Sequence, residues 1–198
     1  MHMATETELK YAPTVRITEK ELFECEYIAP FCGDKRELVM HTDYLDTPDG
    51  VAKKKKITLR RRFENGKSIL YAKTSRRASG AFTERGEWSV ECDDIAQAAR
   101  LLADEGAPTE CLISLPLIVR ATVEFRRIEA TVTPYEGLSF VLSYDEGHFG
   151  GSVPFSEIEL ELLSGTAEEL MVFGEKLAKK LALRPERLSK YARALKYS

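Results

Sequence analysis

The chain has 198 residues, of which 43% are hydrophobic and 31% charged, and 29 Lys and Arg against 32 Asp and Glu leave a formal net charge of −3. That much apolar material supports a buried core and argues against disorder. No apolar run nears the ~20 residues of a membrane helix, the N-terminus has no signal-peptide stretch, and a soluble cytoplasmic protein is expected.

Cys25, Cys32, Cys92 and Cys111 form no CxxC pair, and only His2, His41 and His148 could join them as soft-metal ligands. Reduced thiols are therefore expected rather than a zinc site or a disulfide framework. Met1-His2-Met3 reads as a cloning remnant ahead of a native start at Met3, and His2 is given no role.

In chain order, Glu6 to Tyr11 predicts a strand with Glu6, Glu8 and Lys10 on one face and Thr7, Leu9 and Tyr11 on the other. Thr18 to Tyr27 predicts a short amphipathic helix, with Thr18 as N-cap and Glu21 at capping-box spacing. Leu38 to Leu45 is a weaker strand, and Lys53 to Lys56 read as a solvated run at a strand entrance. Ile57 to Phe63 puts Arg60 and Arg62 on one strand face and Ile57, Leu59, Arg61 and Phe63 on the other. Glu64-Asn65-Gly66-Lys67 carries a hairpin signal, and the strand Ser68 to Lys73 follows.

Arg85 to Glu91 alternates in the same way, with Arg85, Glu87, Ser89 and Glu91 against Trp88 and Val90, and Trp88 is assigned to packing against a helix. Asp93 or Asp94 caps a predicted helix through Leu102 that ends near Gly106. Ala121 to Thr133, with a turn or bulge, and Leu138 to Tyr144 are weaker strands; Glu157 to Leu162 sets three carboxylates against three aliphatics. Gly165-Thr166-Ala167 opens a helix to about Leu181, and Ser189 caps a last helix running to the C-terminus. With no repeat or linker, one α+β domain over residues 1–198 is expected.

The small net charge hides segregation. Lys53 to Arg77 holds eleven basic residues against Glu64, Glu91 to Glu110 six acids against Arg100, and Lys176 to Lys196 eight basic residues against Glu186. Like charges on one short strand face destabilise it unless they have a partner. A closed or nearly closed barrel of about eight strands supplies one, with apolar faces turned out to the helices and charged faces lining a passage. Confined charge needs counterions: basic strands call for a polyanion, acidic strands for a divalent cation, and oxygen ligands choose Mg²⁺ or Mn²⁺ over zinc. A polyphosphate or nucleoside triphosphate is the small molecule that satisfies both.

Glu6-Thr7-Glu8-Leu9-Lys10 resembles the Glu-x-Glu-x-Lys signature of CYTH domains, the triphosphate tunnel metalloenzymes. Further matches follow in that family's order: Asp46-Thr47-Pro48-Asp49, Leu59-Arg60-Arg61-Arg62, Ile69-Leu70-Tyr71-Ala72-Lys73, Arg85-Gly86-Glu87-Trp88, Phe125-Arg126-Arg127, Ser143-Tyr144-Asp145, Glu157-Ile158-Glu159-Leu160-Glu161 and Leu188-Ser189-Lys190-Tyr191. They span Glu6 to Lys190 and point most to the bacterial inorganic triphosphatase branch.

The resemblance implies an eight-stranded antiparallel tunnel with helices outside, and Mg²⁺- or Mn²⁺-dependent hydrolysis of inorganic or thiamine triphosphate, or cyclisation of ATP. It implies that Glu6, Glu8, Glu159 and Glu161, with Asp145, form the metal end, and that Lys10, Arg60, Arg62, Lys73, Arg127 and Lys190 grip phosphate oxygens. Glu87 is chosen over Glu84 and Glu91 as the acidic partner on its strand, and Glu157 is set beyond the metals at the tunnel mouth. Either Arg126 or Arg127 faces inward, and the general base is a carboxylate or a lysine of lowered pKa.

The expected function is a triphosphatase acting on inorganic tripolyphosphate, with Glu6, Glu8, Lys10 and Lys190 catalytic. A class IV adenylate cyclase, a thiamine triphosphatase and a non-catalytic polyphosphate or nucleotide binder are the alternatives. No nucleic-acid or membrane partner is expected, and the oligomeric state, a homodimer included, is left open.

Overall fold

The computed structural model describes residues 4–64 and 66–197, with the backbone alone at residues 4 and 75–77. Among these residues the strands are β1 (Ala4–Pro13), β2 (Arg36–Asp46), β3 (Ile57–Glu64), β4 (Lys67–Ser79), β5 (Phe82–Glu91), β6 (Ile118–Tyr135), β7 (Leu138–Phe149), β8 (Val153–Ser164) and β9 (Leu183–Pro185). The α-helices are α1 (Glu19–Phe23), α2 (Val51–Lys54), α3 (Ala98–Asp104), α4 (Ala167–Lys180) and α5 (Lys190–Ala194).

The sheet runs β5-β4-β3-β2-β6-β7-β8-β1, and β1 pairs back onto β5, so eight antiparallel strands close into a barrel as the charge alternation requires. The short β9 joins β1 from Tyr11 to Pro13, beyond the part of β1 that pairs with β5. Closure buries both faces of a strand: on β1, Leu9 and Tyr11 pack outward at 1% and 3% exposure, while Glu8 and Lys10 face inward at 2% and 6%.

Apolar packing divides into three clusters. Outside, Leu9, Phe140, Leu142 and Leu160 pack against Leu22 and Phe23 of α1 and Leu170, Phe173 and Leu177 of α4. On another part of the wall, Leu59, Leu70, Ala72 and Trp88 meet Ala52 of α2 and Ala98, Ala99 and Leu102 of α3, the packing role expected of Trp88. The third cluster is internal: Leu38, Met40, Tyr44, Val123, Phe125 and Phe149 receive Tyr191 and Ala194 of α5, which places α5 against one end of the passage.

Local signals hold where they are chemical. Thr18 with Glu21 and Thr166 with Glu169 form capping boxes, and Ser189 Oγ accepts the Ala192 N–H. Asp94, not Asp93, caps the 3₁₀ turn that leads into α3. Glu64 pairs with Lys67 and Gly66 has φ +76°, the left-handed conformation a tight hairpin needs; Asn65 and the Met1-His2-Met3 remnant lie outside the described residues.

Boundaries shift where tertiary contacts intervene. α1 stops at Phe23 because the N–H groups of Ile28 and Ala29 turn back to Cys25 O at 2.9 Å, burying Ile28. α5 stops at Ala194, where the following N–H groups close turns onto Tyr191, Arg193 and Ala194. β6 runs in unbroken register against β7 from Val123 to Val132 and shifts register between Val132 and Tyr135; a second irregularity lies on the β2 side, where Tyr44 pairs with Ala121 and Leu45 with Val119. Lys53 and Lys54 belong to α2, a one-turn helix with no readable period. The Asp46 carboxylate holds it, accepting the N–H groups of Thr47, Ala52 and Lys53 at 2.7, 2.8 and 3.1 Å.

Candidate active site

The inward positions of the strands enclose a cavity of about 360 Å³. Its lining includes Glu6, Glu8 and Lys10 of β1, Arg60 and Arg62 of β3, Lys73 of β4, Arg85 and Glu87 of β5, Arg127 of β6, Glu159 and Glu161 of β8, and Lys190 of α5. Every predicted catalytic and substrate-binding residue is there. Asp145, fully buried, sits behind Arg127 rather than on the cavity surface.

Parity resolves the open choices. Arg127 points inward, whereas Arg126 lies on the outer face against Glu37 at 2.8 Å and Glu19 at 2.5 Å. Arg61 points outward to Asp43 at 2.8 Å, His41 sits on that outer face between Asp43 and Glu124, and His148 is exposed. Glu91 is exposed and pairs with Lys67, which leaves Glu87 as the inward carboxylate of β5.

A chain of alternating charge runs along part of the wall. Lys10 lies 3.4 Å from Glu8, Glu8 2.8 Å from Arg85, Arg85 2.6 Å from Glu6, Glu6 2.8 Å from Lys73, Lys73 3.1 Å from Glu87 and Glu87 3.6 Å from Arg60. A second group is deeper. Arg127 donates to Asp145 through two bonds of 2.7 Å and to Glu159 at 2.5 Å. Lys190 Nζ reaches Asp145 at 2.7 Å, Glu159 at 2.9 Å and also Glu157, which Arg193 contacts from its other side.

These environments move proton affinities in different directions. Burial raises that of Glu6, but Lys73 and Arg85 overcome it and hold the carboxyl well below its usual range. Burial likewise opposes Lys10 and Lys190, yet Glu8 beside the first and Asp145 beside the second push them up. Lys73 goes the other way: burial, then Arg60 and Arg85, outweigh Glu6 and Glu87 and push it down. For Glu157, burial raises the proton affinity and Lys190, Lys10 and Arg193 oppose it.

Residues 4–195 match the family model of the CYTH domain. The chain belongs to the CYTH family. Among solved structures, it is similar to a Hippeastrum protein described as a candidate adenylyl cyclase that reveals a dominant triphosphatase activity, at 21% identity over 96% of this chain and 94% of that one, TM-score 0.66. A Bacillus halodurans protein described as a candidate adenylate cyclase matches at 18% identity over 98% of both chains, TM-score 0.61. A protein from Pyrococcus horikoshii matches at 19% identity over 98% and 99%, TM-score 0.56. These likenesses agree with the barrel seen here.

Two unmatched charges remain in the CYTH cavity. Arg62 has no carboxylate partner among the described residues, and its Nε is buried without a hydrogen-bond acceptor. Burial, with Arg60 and Arg127 adding like charge, pushes it down to about 10. Glu161 receives no hydrogen bond or ion pair among the described residues, and burial followed by the Glu6 charge pushes it up to about 7. One position is short of negative charge, the other of positive charge.

That donor set fits a hard divalent cation, because the cavity offers carboxylates while no His or Cys is among its lining residues. The oxygens of Asp145, Glu157 and Glu159 lie within 4.8 Å of one another, and no other such trio of ligand atoms occurs among the described residues. The expected ligand set of Glu6, Glu8, Asp145, Glu159 and Glu161 is therefore not gathered at one point. Glu6 and Glu8 are drawn to Lys73 and Arg85, and Glu157, expected at the mouth, is fully buried in the trio.

Three features of this CYTH site were not singled out from the sequence. Arg85 bridges Glu6 and Glu8, and its alternation with Glu87 was the signal that could have found it. Tyr44, Tyr71, Phe125 and Tyr191 also line the cavity, Tyr71 sharing strand parity with Lys73. Arg193 had no signal, since its role depends on how α5 docks. Gly86, between Arg85 and Glu87, is required by packing: a Cβ there would stand 2.6 Å from the Trp88 ring.

Proposed function

We propose that this CYTH protein hydrolyses a small triphosphate, inorganic tripolyphosphate, with Mg²⁺ or Mn²⁺. The observation that carries the reading is the pair of unmatched charges in one cavity, Arg62 awaiting an anion and Glu161 a cation. A metal-bound polyphosphate supplies both. The reported triphosphatase activity of the Hippeastrum neighbour agrees with it.

Glu6, Glu8, Glu159 and Glu161, which line the cavity without meeting at one point, are the residues that would hold the metal, which would neutralise phosphate oxygens and acidify water when bound, while Asp145 stands behind Arg127 off the cavity surface. The chain's own part is electrostatic. Arg60, Arg62, Lys10, Arg127 and Lys190 present preorganised positive charge to the phosphate oxygens in a confined site, where such charge stabilises a transition state more than it does in water. Of the tunnel lysines, Lys73 alone has its proton affinity pushed down, the direction a lysine base requires.

The aromatic lining favours a bare phosphate chain over a base or a thiamine ring. Tyr44 is already stacked on Tyr191 with centroids 4.8 Å apart, and Tyr71 already carries Arg60 at 4.5 Å and Arg62 at 5.5 Å. The test is a panel of tripolyphosphate, ATP and thiamine triphosphate with Mg²⁺ or Mn²⁺, scored for phosphate and cyclic AMP. Fastest phosphate release from tripolyphosphate is expected. Cyclic AMP from ATP as the main product would make it a cyclase, preference for thiamine triphosphate would change the substrate, and binding without turnover would leave a binding module.

A further inference from the structure

Two buried carboxylates, Asp145 and Glu157, and the partly buried Glu159 face three cations, Arg127, Lys190 and Arg193. The cations are not equivalent. Arg127 is committed to Asp145 by two bonds of 2.7 Å and reaches Glu159 at 2.5 Å. Lys190 touches all three carboxylates. Arg193 follows Lys190 by three residues on α5, so both leave the same helix face, and both contact Glu157. The Arg193 guanidinium is held over the Phe149 and Phe155 rings at 5.0 and 5.4 Å, and its Nη1 lies 3.7 Å from Glu186.

Taking each cation away in turn separates them. Without Lys190, Asp145 keeps both bonds from Arg127, Glu159 keeps its Arg127 contact and Glu157 keeps Arg193. Without Arg193, the fully buried Glu157 has Lys190 as its one contacting cation among the described residues. A buried carboxylate holds a lone counterion tightly, because losing it leaves an uncompensated charge in a confined site. Lys190 lines the cavity and Arg193 does not.

We propose that Arg193 is a positioning residue: as the standing counterion of Glu157, it frees Lys190 to move from the carboxylates to the triphosphate. The inference rests on the reading of the tunnel as a triphosphate site. Lys190 is the exchangeable cation of the cluster, and Arg193 acts on substrate through it without touching substrate.

The test is calorimetric binding of tripolyphosphate in EDTA to the unaltered protein and to R193M, R193K, E157Q and R193M/E157Q. R193M is expected to bind about tenfold more weakly, and R193K, which keeps the charge, within about threefold of the unaltered protein. Deleting the charge that traps Lys190 should restore binding, so R193M/E157Q binds more tightly than R193M. A mere latch for α5 gives the opposite order, because the double variant removes both halves of the latch. Should R193M fail to fold, the double variant, which carries no unpaired Glu157 charge, decides: binding within about threefold of E157Q supports the proposal and binding tenfold weaker overturns it. Tripolyphosphate binding that R193M leaves unchanged overturns the inference alone. No binding by the unaltered protein, either in EDTA or with Mg²⁺ added, overturns the tunnel reading and this inference with it.

Discussion

Lys73 Nζ and the Glu6 carboxylate meet at 2.8 and 2.9 Å, although their strands, β4 and β1, are not neighbours and β5 lies between them. The contact spans the curved inner wall, and Arg85 and Glu87 of the intervening strand join it from either side. Charges far apart in sequence thus neutralise one another around the bore, and Arg62 and Glu161 are left over.

Removal of Arg62 leaves no anion unpaired, so Arg62→Ala should keep the melting temperature within a few degrees while weakening tripolyphosphate binding at least about tenfold. Lys73→Met strips a buried partner from Glu6 and Glu87 and should cost stability, about 3–5 kcal/mol for a broken buried pair. Thermal unfolding beside calorimetry separates the two; equal destabilisation by both variants would contradict the idea that Arg62 is unmatched.

Glu6→Gln/Glu8→Gln should abolish phosphate release with Mg²⁺ or Mn²⁺ while retaining tripolyphosphate binding in EDTA, since two charges that repel the ligand are gone. Undiminished hydrolysis by this double variant would remove both residues from the metal end.

Glu161 binds its proton more tightly in the folded chain, where its value is about 7, than at its ordinary 4.5. Ionising it therefore opposes folding: its contribution is flat below pH 4.5, becomes increasingly unfavourable up to about pH 7 and is flat again above. In denaturant titrations without metal, Glu161→Gln should match the unaltered protein at pH 4 and exceed it at pH 8, by roughly 3 kcal/mol at most. Parallel stability curves for the two proteins across this window would rule the effect out.

Gly86→Ala drives a Cβ to 2.6 Å from Trp88. Overpacking of this kind costs about 1–3 kcal/mol, and the displaced β5 backbone carries Arg85 and Glu87 with it, so turnover should fall along with the melting point. Unchanged activity and melting would show that the Trp88 ring moves aside freely.

Strand faces were legible in the sequence because a side chain's side of a strand is a local, period-two property. Glu6, Glu8 and Lys10, Arg60 and Arg62, and Glu159 and Glu161 could be grouped by parity before their strands had neighbours, and Thr18, Glu21 and Ser189 announced their caps by chemistry. Segregated sign on those faces already required a closed wall and counterions. Pairing was decided elsewhere. Arg85 bridging Glu6 and Glu8, Arg127 rather than Arg126 turning inward, Glu157 buried between Lys190 and Arg193, and α2 held by Asp46 all depend on register and helix docking. Parity says which face a charge is on. The counterion it finds there is set by barrel closure and the seating of α5, because ion pairs form over a few ångströms between groups the chain separates by tens of residues.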